Sequence, residues 1–253
     1  MISDLQKASI WKRVSAAMFD AILVGILAVG VAYLLAVVTD YDGYNRTMND
    51  AFSGYEQQYG VTFEMTEEQY AAMTDAERER YNDAYDALCR DDEAMYAYNM
   101  MVNLTLLIST FGILAAFLVS EFAVPLWLDN GQTLGKKIFG ICLMRTDGIK
   151  ISAPLLFIRT VLGKYTVETM IPVLIIVMIF FNMIGIVGPL VLALILVLEI
   201  VLLAVTQTNS AIHDVLAKTV VVDYLSQRIF ENEEELIEFK KELHAERAAR
   251  TEY

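Results

Sequence analysis

Histidine is all but missing from this sequence, which contains only His213 and His244. No HExxH pair, nucleophile elbow or Ser/His/Asp set can be assembled from them, so neither enzymatic activity nor a cofactor is expected. Cysteine is equally scarce. Cys89 and Cys142 lack CxxC spacing and offer neither a zinc site nor a redox pair, and no metal-ligand set is expected. A phosphate loop is lacking too. Gly131 and Gly135 are one residue too close for the Walker pattern, and Lys136 is followed by Lys137, not by Ser or Thr. No small-residue cleavage site follows the short leader, so the first apolar helix is expected to be retained and not removed as a signal peptide. Bases are rare between residues 40 and 99, where 4 face 15 acids for a net of −11. No nucleic-acid partner is expected.

Apolar residues are abundant instead, at 56% of 253 positions, and the mean hydropathy is positive. That exceeds the share in soluble domains. A membrane span needs about 20 predominantly apolar residues, and several runs supply them. The first covers Val14 to Thr39, broken only by Asp20; the second covers about Met100 to Leu128, with Glu121 inside. The third, Thr169 to Val205, holds the single charge Glu199. As one helix it would reach roughly 55 Å at about 1.5 Å per residue, nearly twice the hydrocarbon thickness. Asn182-Met183-Ile184-Gly185 and Gly188-Pro189 supply a break, so this run reads as a helical hairpin. The expected fold is an all-α polytopic membrane protein with four spans and the lipid bilayer as its partner. Its segments are 1–39, 40–99, 100–128, 129–168, 169–207 and 208–253.

Charge orients these spans. Lys7, Lys12 and Arg13 precede the first, the 129–168 loop carries 6 bases and 3 acids, and Lys218 and Arg228 follow the last. The positive-inside rule puts both termini and that loop in the cytoplasm of a multi-pass cell-membrane protein, and the acidic 40–99 insertion outside. Cys89 and Cys142 then lie on opposite sides and cannot pair.

The outer insertion carries two capping boxes, at Thr66 to Gln69 and Thr74 to Glu77. After the second, Tyr81, Tyr85, Leu88, Asp92 and Tyr96 recur at helical spacing, which predicts a helix from Asp75 towards the second span. Tyr41, Tyr44, Tyr55 and Tyr59 are candidates to pack on that stripe. In the cytoplasmic loop, Ile138 to Arg145 and Ile149 to Ser152 flank Thr146-Asp147-Gly148 as a hairpin. Leu155 to Tyr165 reads as an amphipathic helix at the inner surface, with Arg159 and Lys164 towards headgroups. The tail from Glu231 has Leu236, Phe239 and Leu243 at helical spacing, acids at its start and Arg247 and Arg250 near its end. It is a solvated helix or a docking helix for a protein partner.

Three motifs carry a resemblance. Trp11-Lys12-Arg13-Val14-Ser15-Ala16-Ala17-Met18-Phe19-Asp20, Gly131-Gln132-Thr133-Leu134-Gly135-Lys136-Lys137 with its continuation to Gly148, and Ile212-His213-Asp214-Val215-Leu216-Ala217 with Thr219 to Val222 resemble the RDD family of membrane proteins. By match, Arg13, Asp20 and Asp214 are the arginine and two aspartates of that name. The resemblance implies transport of a small ligand, with cation/proton exchange suggested for some members and regulation of membrane partners for others. It does not extend to the long 40–99 insertion.

Placed by depth, Asp20, Glu121, Glu168 and Glu199 come from four spans yet share inner-leaflet depth with Arg13, Arg159, Lys164 and His213. A carboxylate in a low-dielectric site can trade a proton for a cation. On this reading Asp20 is the central carrier, Glu199 the second group and Glu121 part of the pathway. His213-Asp214 is the inner gate, an imidazole oriented by its neighbour. The other reading is structural: Arg13 and Arg159 neutralise Asp20 and Asp214 and fix helix register. Ala17, Ala21, Gly25, Ala28, Ala32 and Ala36 make a small-residue face on the first span, suited to close packing within the chain or in a homo-oligomer. Transport and a non-transporting adaptor working through the outer segment or tail both stand at this point.

Overall fold

The computed structural model describes residues 5–180 and 183–251 and is mostly helical. Among the described residues four helices are long and apolar enough to cross a membrane: Ile10–Val38, Asp92–Trp127, Ala153–Ile179 and Val187–Val205. The chain divides into two compact units, Met1–Ala28 with Ile113–Tyr253, and Val29–Gly112.

The Val29–Gly112 unit is built on helices Tyr41–Tyr59 and Asp75–Arg90. Both capping boxes form: the Thr66 and Thr74 hydroxyls accept from the Gln69 and Glu77 amides, whose side chains accept in return from the Thr66 and Thr74 amides. Met48, Leu88, Ala94 and Ala97 make the core, with Tyr44, Phe52, Tyr55 and Phe63 against it. The tyrosine stripe is thus packing surface, with Tyr44 edge-on to Tyr96 at 6.1 Å. The helix from Asp75 does not run into the second span. It stops at Asp91, whose carboxylate accepts from the Glu93 and Ala94 amides and starts a new helix.

In the other unit the all-α expectation needs one correction. Ile141–Arg145 (β1) and Thr219–Asp223 (β2) pair antiparallel, Leu143 opposite Val221. Thr146-Asp147-Gly148 does turn the chain, but Ile149 to Ser152 pairs with β1 through the bridge Met144–Lys150 and with Phe230 through Ile149, so the expected hairpin is not the main pairing. Both faces of the sheet are covered. Ile141, Leu143 and Val221 pack with Ala8, Ala16 and Leu156, while Cys142, Met144, Val220 and Val222 pack with Leu5 and Ile229. Burial on two sides favours unbroken apolar strands, and β2 is one.

A repeat emerges here that sequence similarity does not show. Helix Leu134–Ile138 leads into β1 as helix Ile212–Leu216 leads into β2, every position advanced by the same interval. Both helices end on a positive-φ residue, Gly140 and Lys218. Tyr224 N donates to Gly140 O and Thr146 N to Lys218 O. Lys7, ahead of the first span, bridges to Val222 in β2, and Lys150, ahead of the third, bridges to Met144 in β1. Each half thereby lends its leader to the other half's strand.

The third span also starts earlier than expected. The amphipathic segment is continuous with it, because Pro154 in the first turn starts a helix that no residue interrupts before Ile179. Within it Ile158–Met170 is π-helical, as is Leu118–Ala123 in the second span. The Thr166 and Thr169 hydroxyls donate five residues back, to Val161 O and Lys164 O, and Thr160 Oγ1 donates to Glu121 O, tying the two π segments together. Of the expected break before the fourth span, Asn182 lies outside the described residues; Gly188 packs on Ile179 and Ile184. The tail helix Glu233–Thr251 docks by its first turns, Leu236 and Phe239 closing on Ile149 and Phe230.

Candidate functional site

A cavity of about 390 Å³ opens among residues of all four spans and of the two short helices. Arg13 and Asp20 reach it from the first span, Glu121 from the second, Arg159, Lys164 and Glu168 from the third and Glu199 from the fourth. The two short helices add Lys136, His213 and Asp214. The π segments explain part of this convergence. A π turn closes i to i+5, so Arg159 and Lys164, five apart, share a face, and Glu168, four further on, lines the same cavity.

Asp214 is the hub. Its Oδ1 accepts from Arg159 Nε at 3.0 Å and from Thr219 Oγ1 at 3.0 Å, and its Oδ2 pairs with Arg13 Nη2 at 3.2 Å. Burial alone would raise its pKa, but Arg159, His213 and Arg13 outweigh burial and hold the carboxylate ionised, below its ordinary value. Arg13 is fixed at its other nitrogen by the carbonyls of Thr208 and Asn209. Both guanidiniums therefore serve Asp214.

Asp20 has no ion pair within 4.0 Å among the described residues. Its Oδ2 accepts from Thr133 Oγ1 and its Oδ1 from Gly135 N at 2.8 Å, so it anchors the start of helix Leu134–Ile138. The approach is close: a Cβ on Gly135 would collide with Ala16 O and lie 2.8 Å from Asp20 Oδ1. The repeat's second half copies the device. Glu168 Oε1 accepts from His213 N at 2.8 Å, and His213 holds the position equivalent to Gly135. Here the third span contributes the small residue: a Cβ on Gly163 would lie 2.5 Å from His213 Cβ.

The imidazole expected as a gate is also oriented differently from the expectation. His213 Nδ1 lies 2.7 Å from Glu168 Oε2, whereas Nε2 lies 3.6 Å from Asp214. Burial and then Arg159 lower its pKa, which favours the neutral ring at neutral pH. Glu199, half-buried, accepts from Ile212 N at 3.2 Å.

Sequence reading missed Lys136 and Thr133. Lys136 is buried, its Nζ 3.3 Å from Thr133 Oγ1 and 3.8 Å from Glu121 Oε2. Burial brings its pKa down to about 8, with Lys164 and Arg159 assisting and Glu121 and Asp20 opposing. Glu121 is itself buried; Oε1 meets Lys164, while Oε2 has no hydrogen-bond partner among the described residues. The available signal was positional, since Lys136 occupies the place in the first short helix that Asp214 has in the second.

The RDD family model matches residues 7–218. The chain belongs to the RDD family. Arg13, Asp20 and Asp214, the three residues expected to match its name, line this one cavity, two of them as an ion pair and the third as a helix anchor. No curated protein and no solved structure matches this RDD-family chain.

Proposed function

We propose that this RDD-family protein exchanges protons for a small cation across the membrane through the cavity between its spans, with both termini cytoplasmic. One observation carries the reading. Five carboxylates line the cavity (Asp20, Glu121, Glu168, Glu199 and Asp214) against four basic side chains, Arg13, Lys136, Arg159 and Lys164. With His213 neutral and all five carboxylates ionised, one negative charge is left over in a site of low dielectric, where an unbalanced charge is costly. A cation relieves it. Lys136 supplies the coupled proton, because its pKa of about 8 lets the ammonium discharge near neutral pH. Glu121 faces it from the second span, Lys164 and Arg159 from the third and Asp20 from the first.

The sign follows. A neutral Lys136 makes the cavity more negative, so cation uptake rises with pH through about 8 and falls below it. Sealed vesicles holding the purified protein and a pH dye should show cation-driven proton flux with that profile. Glu199→Gln balances the charges and is expected to cut the flux about tenfold, equivalent to about 1.4 kcal/mol. Unchanged flux in the variant would sink the role of the charge excess, and a silent wild type would sink exchange itself.

The orientation rests on the positive flanks of the spans and has its own test. Cys142 is fully buried, and burial pushes its thiol up to about 12, whereas Cys89 is exposed. A membrane-impermeant maleimide applied to intact cells is expected to label the protein once, at Cys89. Labelling only after lysis would reverse the topology.

An adaptor role has one observation in its favour. The Val29–Gly112 unit holds its own core and acidic surface, more than a connection between two spans requires.

A further inference from the structure

Resting on the exchange reading, we infer that the cation this cavity takes is an amphipathic organic ammonium, and not a bare metal ion. Size comes first. At about 390 Å³ the cavity has the volume of sites for small organic molecules, about 300–1,000 Å³. One water in the liquid occupies about 30 Å³, so a single desolvated metal ion would leave most of the space empty.

The wall has two characters. Beside the charged groups it is aliphatic and aromatic: Val14, Ala17, Ala21 and Val24 of the first span, Phe117 of the second and Leu203 of the fourth. Ala17 and Ala21 are exposed, so this flank is not closed by packing within the chain. A hydrated inorganic cation gains nothing from such a wall, whereas an alkyl or aryl body loses its water against it.

The charged side of the wall places the positive centre. Glu121 Oε2 is enclosed, with Lys136 Nζ 3.8 Å away, and offers a guest no open face. Lys136 and Lys164 already offset the charge of Glu121, so attraction for the positive centre comes from Glu199 across the cavity. The apolar body then lies along Ala17, Ala21 and Phe117. A free amine and the headgroup of an aminophospholipid present the same ammonium, so the chemistry is shared while the source differs.

The test is a calorimetric titration of the full chain, in detergent without aminolipid, with 2-phenylethylammonium chloride and separately with NaCl. Saturable binding of the organic cation that excess NaCl does not displace is expected. Ala21→Phe, which fills the cavity from an exposed position, and Glu199→Gln are each expected to weaken it about tenfold or more. Both variants must elute like wild type on size exclusion. Displacement by equal NaCl, or full affinity in Ala21→Phe, overturns the inference. Adding phosphatidylethanolamine separates the sources: competition assigns the ammonium to lipid, and no competition assigns it to a soluble amine.

Vesicle flux keeps this inference apart from the reading beneath it. If Na⁺ or K⁺ drives proton flux and the organic ammonium does not, exchange stands and the substrate class falls. If neither drives flux while calorimetry still shows binding lost in Ala21→Phe, exchange falls and the ammonium site stands.

Discussion

Asp214→Asn is expected to destabilise the packing of helix Ile212–Leu216 more than any other single polar substitution. The change keeps the shape and the Thr219 contact but removes the anion that Arg13 and Arg159 share. Arg159 and Asp214 are almost fully buried, so water cannot replace the lost charge. Removing one member of a buried pair costs about 3–5 kcal/mol, because the surviving charge stays where it was. Arg13 is partly protected by its carbonyl partners; Arg159 has the greater loss. Thermal unfolding in detergent should show a large drop. Asp223→Asn is the control: its pair with Lys12 lies at the surface, where ion pairs contribute little, and no measurable change is expected. A wild-type melting point for Asp214→Asn would show that the cluster is not what holds helix Ile212–Leu216 against the third span.

The contrast between these aspartates shows what sequence can carry. Charge-free runs announced the four spans, since length and hydropathy are properties of the chain alone. The two capping boxes were legible because a cap needs only residues three apart. Depth was legible as well: Asp20, Glu121, Glu168 and Glu199 could be placed at one level by counting along helices, and all four line one cavity. Lateral choice was not. Nothing local says that Asp214 takes both guanidiniums while Asp20 takes a hydroxyl and an amide. The β1–β2 pairing was hidden for a related reason. Both faces are buried, so Thr219 to Val222 shows no alternation, and its partner lies two spans away. The π segments leave no periodic mark either, yet they aim Glu121, Arg159, Lys164 and Glu168 at the cavity.

That division bears on the second large effect, at Asp20. Asp20→Ala removes the acceptor for Thr133 Oγ1 and Gly135 N together, both buried. Each hydrogen bond to a charged group is worth about 1.5–3 kcal/mol, so a loss of several kcal/mol is expected, with helix Leu134–Ile138 loosened from the first span. Asp20→Asn keeps one carbonyl oxygen and is expected to cost about half as much. The split matters for function because Thr133 Oγ1 also lies 3.3 Å from Lys136 Nζ. While Asp20 holds the hydroxyl proton, the oxygen presents lone pairs to the ammonium; once released, the hydroxyl is free to turn its proton that way. Asp20→Asn should therefore move the pH profile of flux, through Lys136, even in protein that stays folded. Flux that vanishes in Asp20→Asn but persists in Lys136→Arg would make Asp20, and not Lys136, the direct carrier. A shifted profile in Asp20→Asn, absent when Lys136 is also changed to Arg, would make it a group that acts on Lys136, by its charge and through Thr133.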